Sequence, residues 1–167
     1  MVERRATRED APDIARVHVD TWRTAYKDIV DPGFLERLSY ERSTAWWDGV
    51  LANPAARGCT FVVESDGKVV GFAHAGETRS PHLPFDSELY AIYVLQEHQR
   101  KGGGRILVDA VRRALREAGF KSMLVWVLDT NPNRAFYERL GGALAGSKQD
   151  RIGELAVSEA GYGWNSL

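Results

Sequence analysis

The sequence predicts an α/β fold, and three stretches carry that prediction. Residues 60–65 and 68–73 are rich in β-formers, and only Asp66-Gly67 separates them. Two residues of that type between apolar runs are a strong hairpin signal, because a type I′ turn needs φ > 0 at both central positions. Residues 88–94 form an apolar run, glycines follow at 102–104, and an amphipathic pattern spans 106–118. Residues 122–128 are then almost continuously apolar, the composition of a strand buried in a parallel pair. With the run at 88–94 and the helix between them they form a β-α-β unit, for which a right-handed crossover is the rule. At 167 residues the chain is expected to be one domain, 1–167, able to bury a substantial core.

The elements follow in order. Residues 2–6 read as a short first strand. Asp10 reads as a helix N-cap, with Pro12 tolerated in the first turn and Asp13 well placed for the dipole. The helix carries Ile14, Val17, Trp22, Ala25 and Tyr26 at a spacing close to the helical 3.6. Asp31-Pro32-Gly33 breaks it, and a short helix is expected to hold Phe34, Leu35 and Leu38. Ser39 caps another through Trp46, Trp47 and Val50, until Asn53-Pro54 stops it. After the hairpin, Ser80, Pro81, His82 and Pro84 mark residues 76–87 as a loop, placed to form the rim of a site.

In the central strand, 88–94, alternation puts Leu89, Ala91 and Tyr93 on one face and Glu88, Tyr90 and Ile92 on the other. In the next helix Ile106, Leu107, Ala110, Val111, Ala114 and Leu115 form an apolar stripe opposite Arg105, Asp109, Arg112, Arg113 and Arg116. Gly119 ends it at C′. Asn131-Pro132 reads as a cap and N1 pair opening a helix to Leu140, stopped by Gly141-Gly142. Two last strands are expected at 143–148 and 154–158, with Trp164 beyond them.

Composition narrows the function classes. The chain is 44% hydrophobic and 27% charged, as an ordinary soluble globular protein is, and its net charge of −1 speaks against a nucleic-acid or membrane surface. A single cysteine, Cys59, gives no disulfide framework and suits a reducing compartment; it reads as buried rather than nucleophilic. The charged start, Met1-Val2-Glu3-Arg4-Arg5, lacks an apolar segment behind it, so no signal peptide is expected. No run reaches the roughly 20 apolar residues of a membrane span. A cytoplasmic protein is the expectation.

Local charge is different: residues 100–117 hold six Lys/Arg against two acids. Strand, glycine turn and helix leave several N–H groups at a helix start able to hold an anion, and glycines let a phosphate approach the backbone. The turn is not a P-loop, because no Gly-Lys-Ser/Thr follows, and not a dinucleotide fingerprint, because Leu107 stands where a third glycine is required. On this stretch alone, a tight turn with solvated arginines remains open beside phosphate binding.

The ordered set resolves that choice by resemblance. Glu88-Leu-Tyr-Ala-Ile-Tyr-Val94, then Gln99-x-x-Gly102-x-Gly104, then Asn131-x-x-Arg134-Ala135-x-Tyr137-x-x-x-Gly141 resembles the GNAT superfamily of N-acetyltransferases over nearly the whole chain. The resemblance implies a mixed, mostly antiparallel sheet of six or seven strands, with helices on both faces and the fourth and fifth strands splayed. It implies acetyl-CoA as cofactor. Its diphosphate would lie on the turn Gln99, Arg100, Lys101, Gly102, Gly103, Gly104 and Arg105, and its pantetheine arm along Ile92, Tyr93 and Val94. Asn131, Asn133, Phe136 and Tyr137 would complete the binding site.

The resemblance assigns chemistry too. Transfer of acetyl from a thioester to an amine expels a thiolate whose pKa is about 8.5, and a phenol of pKa about 10 held beside the sulfur can protonate it. Tyr137 matches that position. Glu88 stands where some members keep a glutamate that assists deprotonation of the amine, directly or through water. Trp22, Tyr26 and His82 are candidates for the acceptor pocket, although Trp and Tyr at helical spacing are more often core. The four histidines show no metal-ligand spacing, and no metal is expected. The expected partner is a small-molecule or peptide amine, with neither nucleic acid nor membrane, and a homodimer is left open. The alternatives are another acyl donor on the same fold, or a non-catalytic acyl-CoA sensor.

Overall fold

A computed structural model describes every residue except 54 and 56. Among the described residues seven strands form one sheet in the order β1-β2-β3-β4-β5-β7-β6. They are β1 (Val2–Arg5), β2 (Cys59–Ser65), β3 (Lys68–Glu77), β4 (Ser87–Val94), β5 (Met123–Leu128), β6 (Ala143–Ile152) and β7 (Leu155–Trp164). The helices are α1 (Ala11–Ala25), α2 (Pro32–Glu36), α3 (Tyr40–Ala52), α4 (Gly103–Glu117) and α5 (Arg134–Arg139). Asp66 and Gly67 adopt φ of 52° and 73°, the type I′ signature their sequence demands. Ser39 caps α3 by accepting from Arg42 N–H at 3.2 Å. Pro54, read as part of the stop after α3, lies outside the described residues.

The parallel pair β4–β5 positions everything else. All other pairings are antiparallel. The β4–β5 ladder joins Ser87–Leu89 to Met123–Val125 and stops there. Residues 90–94 and 126–128 continue as strands without pairing to one another, so the sheet opens into a gap between two well-formed edges.

One expectation about β4 is corrected. Ala75 pairs with Leu89 and His74 with Ala91, so Tyr90 is an extra residue, a β-bulge. Alternation restarts after it, and Glu88, opposite Gly76, comes to share a face with Tyr93, opposite Phe72. α1 and α3 cover that face: the His18 ring stacks 5.4 Å from Tyr93, and the buried Trp47 lies 4.9 Å from Phe72 and 5.5 Å from His74. α4 covers the opposite face of β2, β3 and β4, where Leu107, Val108, Val111 and Leu115 are wholly buried.

Other corrections have local causes. The Asp10 carboxylate does not cap α1, because it closes a 3-10 turn on Thr7 N–H and accepts from both terminal guanidinium nitrogens of Arg4, at 2.7 and 2.8 Å. Arg4 thereby holds the Asp10 carboxyl below the usual range, burial opposing. α5 starts at Arg134 rather than at Pro132: Asn131 Oδ1 accepts from Asn133 N–H at 2.8 Å, an Asx turn that competes with the helix. The strands of the final hairpin are longer than expected and turn at Gly153, φ 60°. β3 also runs on to Glu77, which shortens the loop to residues 78–86. Asp86 anchors that loop by accepting from Lys121 and Ser122 N–H, each at 2.9 Å. The Phe85 ring fills the space a side chain at Gly163 would need.

Candidate active site

The turn after β4 is built from backbone. Gln99 Nε2 donates to Val94 O at 2.9 Å, folding the chain back over the strand end. Arg100 has φ 58° and Gly102 φ 89°, left-handed conformations on either side of Lys101. A Cβ at Gly102 would meet nothing within 4 Å, so the turn faces open space. The first N–H beyond the turn to reach a helical carbonyl is that of Ile106, to Gly102 O at 3.1 Å. The amides of Gly103, Gly104 and Arg105 therefore lie ahead of the ladder, at the positive end of a 15-residue helix. Exposed Arg100, Lys101 and Arg105 surround them. These are the donors and charges that suit a diphosphate. Phe136 of α5 lies 3.2 Å from where a Gly104 Cβ would stand, so the turn and the 131–137 segment meet.

At the gap, aromatic hydroxyls gather. Tyr137 is 8% exposed, with its ring 5.2 Å from Phe136 and 6.0 Å from Tyr162. Among the described residues none hydrogen-bonds its hydroxyl. Burial, and then the Tyr26 phenol, push its pKa up. Burial likewise raises Tyr93, helped by Tyr26 and opposed by the Trp22 indole, which donates to Tyr93 Oη at 3.0 Å. Burial raises Tyr26 as well, and the Glu159 charge adds to it. These phenols thus stay protonated at neutral pH and lie close enough to sense one another.

On the α1 side of the sheet lies a cleft of about 280 Å3. Glu88 forms part of its wall but is 1% exposed and fully engaged. Oε1 accepts from Arg79 Nη2 at 2.6 Å and Nε at 3.1 Å, and Oε2 accepts from Arg79 N–H at 2.9 Å. The Arg79 guanidinium also covers the Tyr90 ring at 4.4 Å. Opposite them, Trp126 of β5 donates to Ser80 Oγ at 3.0 Å, and Lys148 Nζ lies 4.8 Å above the Trp126 ring. Lys148 is paired with Asp150 at 3.6 Å and Glu159 at 3.2 Å. Among the described residues the Glu159 contact has the distance of an ion pair without the geometry of a hydrogen bond to the buried Oε2. Burial pushes the Glu159 carboxyl up, and Lys148 partly offsets it.

The expected acceptor residues part company. Trp22 lines a second pocket of about 250 Å3 with His18, Leu38 and Trp46. Tyr26 packs 4.6 Å from Trp22, and His82 is exposed on the loop, outside both pockets. Cys59 is buried, its thiol pushed up to about 11 by burial, which makes it a poor nucleophile. Sequence reasoning missed Arg79, Trp126, Lys148, Asp150 and Glu159. The available signal was the spacing of Lys148 and Asp150, which puts both on one face of a strand.

Comparison with known proteins agrees with this architecture. Residues 16–142 match the acetyltransferase (GNAT) family. The chain is 38% identical over 164 residues to the uncharacterized N-acetyltransferase YuaI of Bacillus subtilis, covering 98% of this chain and 92% of that protein. Among solved structures it resembles a PaiA N-acetyltransferase from Thermoplasma acidophilum in complex with coenzyme A, at TM-score 0.70 and 18% identity, covering 95% and 96% of the two chains. A ribosomal-protein-alanine N-acetyltransferase from Brucella melitensis aligns at TM-score 0.76 and 21% identity, covering 99% of each chain. With a family match over most of its length, a relative above a third identical and a sheet that splays between β4 and β5, the chain belongs to the GNAT family of acetyltransferases.

Proposed function

We propose that the protein, as one domain, transfers acetyl from acetyl-CoA to a primary amine by direct attack in a ternary complex. The observation that carries this reading is the β4–β5 gap, with an anion-suited turn on the α4 side and a polar cleft on the α1 side. The PaiA structure solved with coenzyme A supports the choice of donor. The bound donor would supply an activated thioester. The amides of residues 101–105 hold its diphosphate, with Gln99, Arg100 and the Asn131, Asn133 and Phe136 segment around it. The edge of Ile92, Tyr93 and Val94 pairs with its arm as a strand would, and the Val94 amide polarises the carbonyl. Tyr137 delivers its proton to the departing sulfur. Glu88, oriented by Arg79, takes up the amine's proton through water. The single cysteine fits a cytoplasmic setting.

The test is thermal. Coenzyme A should raise the melting temperature progressively with concentration while ATP does so less, and thiol release should then follow when acetyl-CoA and an amine panel are added. Absence of any stabilisation by coenzyme A would contradict the reading. Sedimentation of the same sample decides between monomer and homodimer.

A further inference from the structure

The cleft already holds one alkylammonium, and it belongs to the protein. Lys148 Nζ sits over the Trp126 ring, between Glu159 and Asp150. An aromatic face flanked by carboxylates recognises a primary ammonium, because the ring quadrupole and both anions attract the cation and reduced hydration strengthens each attraction.

Lys148 satisfies this site incompletely. Among the described residues the Glu159 Oε2 atom faces the Lys148 ammonium at 3.2 Å outside hydrogen-bond geometry, so charge rather than a directed bond holds the pair. Lys148 also comes from the edge strand β6 with its side chain 34% exposed, so its ammonium can swing into water at little cost. The cleft's third carboxylate, Glu88, cannot serve, because Arg79 occupies both of its oxygens. Glu159, in contrast, lies close enough to Tyr26 and Tyr93 at the gap for its charge to reach both phenols.

We propose that Glu159, with Asp150 and the Trp126 face, receives the acceptor's ammonium by displacing Lys148, and that the acceptors are alkylamines bearing no carboxylate. A carboxylate on the acceptor would enter a cleft whose three acids outnumber its two bases, Arg79 and Lys148. The inference rests on the acetyl-transfer reading for the name acceptor, but the binding site can be tested without turnover.

Calorimetry on the protein with coenzyme A would compare 1,4-diaminobutane with 4-aminobutanoate, a probe of similar length that carries an acid. The diamine should bind about tenfold more tightly, and Glu159→Gln should remove about that factor, as loss of one charged hydrogen bond does. Lys148→Met, which removes the competing ammonium, should tighten the diamine at least severalfold. Equal binding of the two probes, an unchanged Glu159→Gln, or weaker binding by Lys148→Met would each overturn the proposal. Thermal shift with coenzyme A on the same samples keeps the two readings apart. If coenzyme A fails to stabilise the protein, the acetyl-transfer reading falls, and calorimetry without it still judges the ammonium site.

Discussion

The turn at residues 99–105 and the cleft around Glu159 lie on opposite sides of one gap and are made of different material. The turn is backbone: two left-handed residues, amides ahead of a helix ladder, and glycines whose lack of side chain lets a ligand approach. The cleft is side chain: an arginine from a loop, a tryptophan from β5, a lysine and an acid from β6 and another acid from β7. A backbone site recognises what the family shares, because its donors do not depend on residue identity. A side-chain site can be rewritten one residue at a time, which is how one fold serves many acceptors.

Predictions that separate the two regions run from large to small. Tyr137 is the proposed proton donor, so Tyr137→Phe should lower kcat by roughly a hundredfold, the usual scale of a general acid, while coenzyme A affinity measured by calorimetry stays within about twofold. An unchanged kcat would remove Tyr137 from its role.

Acid should loosen the α1 side before the turn. Burial lowers His18 from 6.5 to about 4. The unfolded chain therefore binds the proton more readily, and stability that is complete above pH 6.5 is lost progressively as pH falls to about 4. The loss from this group should be roughly 3 kcal/mol. Urea melts of the wild type and His18→Leu across that window should show the variant with the shallower pH slope.

Arg79→Leu removes the guanidinium and leaves the buried Glu88 carboxylate only the N–H of residue 79, and should cost about 2 kcal/mol. The double variant with Glu88→Gln should recover part of that, as a cycle of urea melts would show. The smallest effect is expected at the turn. A branched side chain at φ 89° is strained, so Gly102→Val should raise the KM for acetyl-CoA about tenfold and leave the ratio of diamine to 4-aminobutanoate affinity unchanged.

The same contrast explains what was legible in the sequence. The Asp66-Gly67 hairpin, α4 and the glycine turn are local devices, each readable within a dozen residues because its cause lies within them. The bulge at Tyr90 is not local: it depends on how β3 pairs with β4, and it moved Glu88 to the face of Tyr93. Asp10 looked like a cap until Arg4, from the first strand, took its carboxylate. Glu159 lay beyond the last strand the sequence outlined, because the exposed, polar hairpin from Gln149 to Ser158 conceals the length of β6 and β7. Trp126, an unremarked member of an apolar run, becomes the floor of a cation site only when β6 lays Lys148 across it.

Coenzyme A is expected on backbone amides across the gap from the acidic cleft. A 1H–15N spectrum titrated with coenzyme A tests it directly. Shifts are expected for the amides of Lys101 to Arg105 and of Val94, with the Trp126 indole N–H unmoved. Shifts of the Trp126 indole and of the Lys148 and Glu159 amides, with the turn silent, would contradict it.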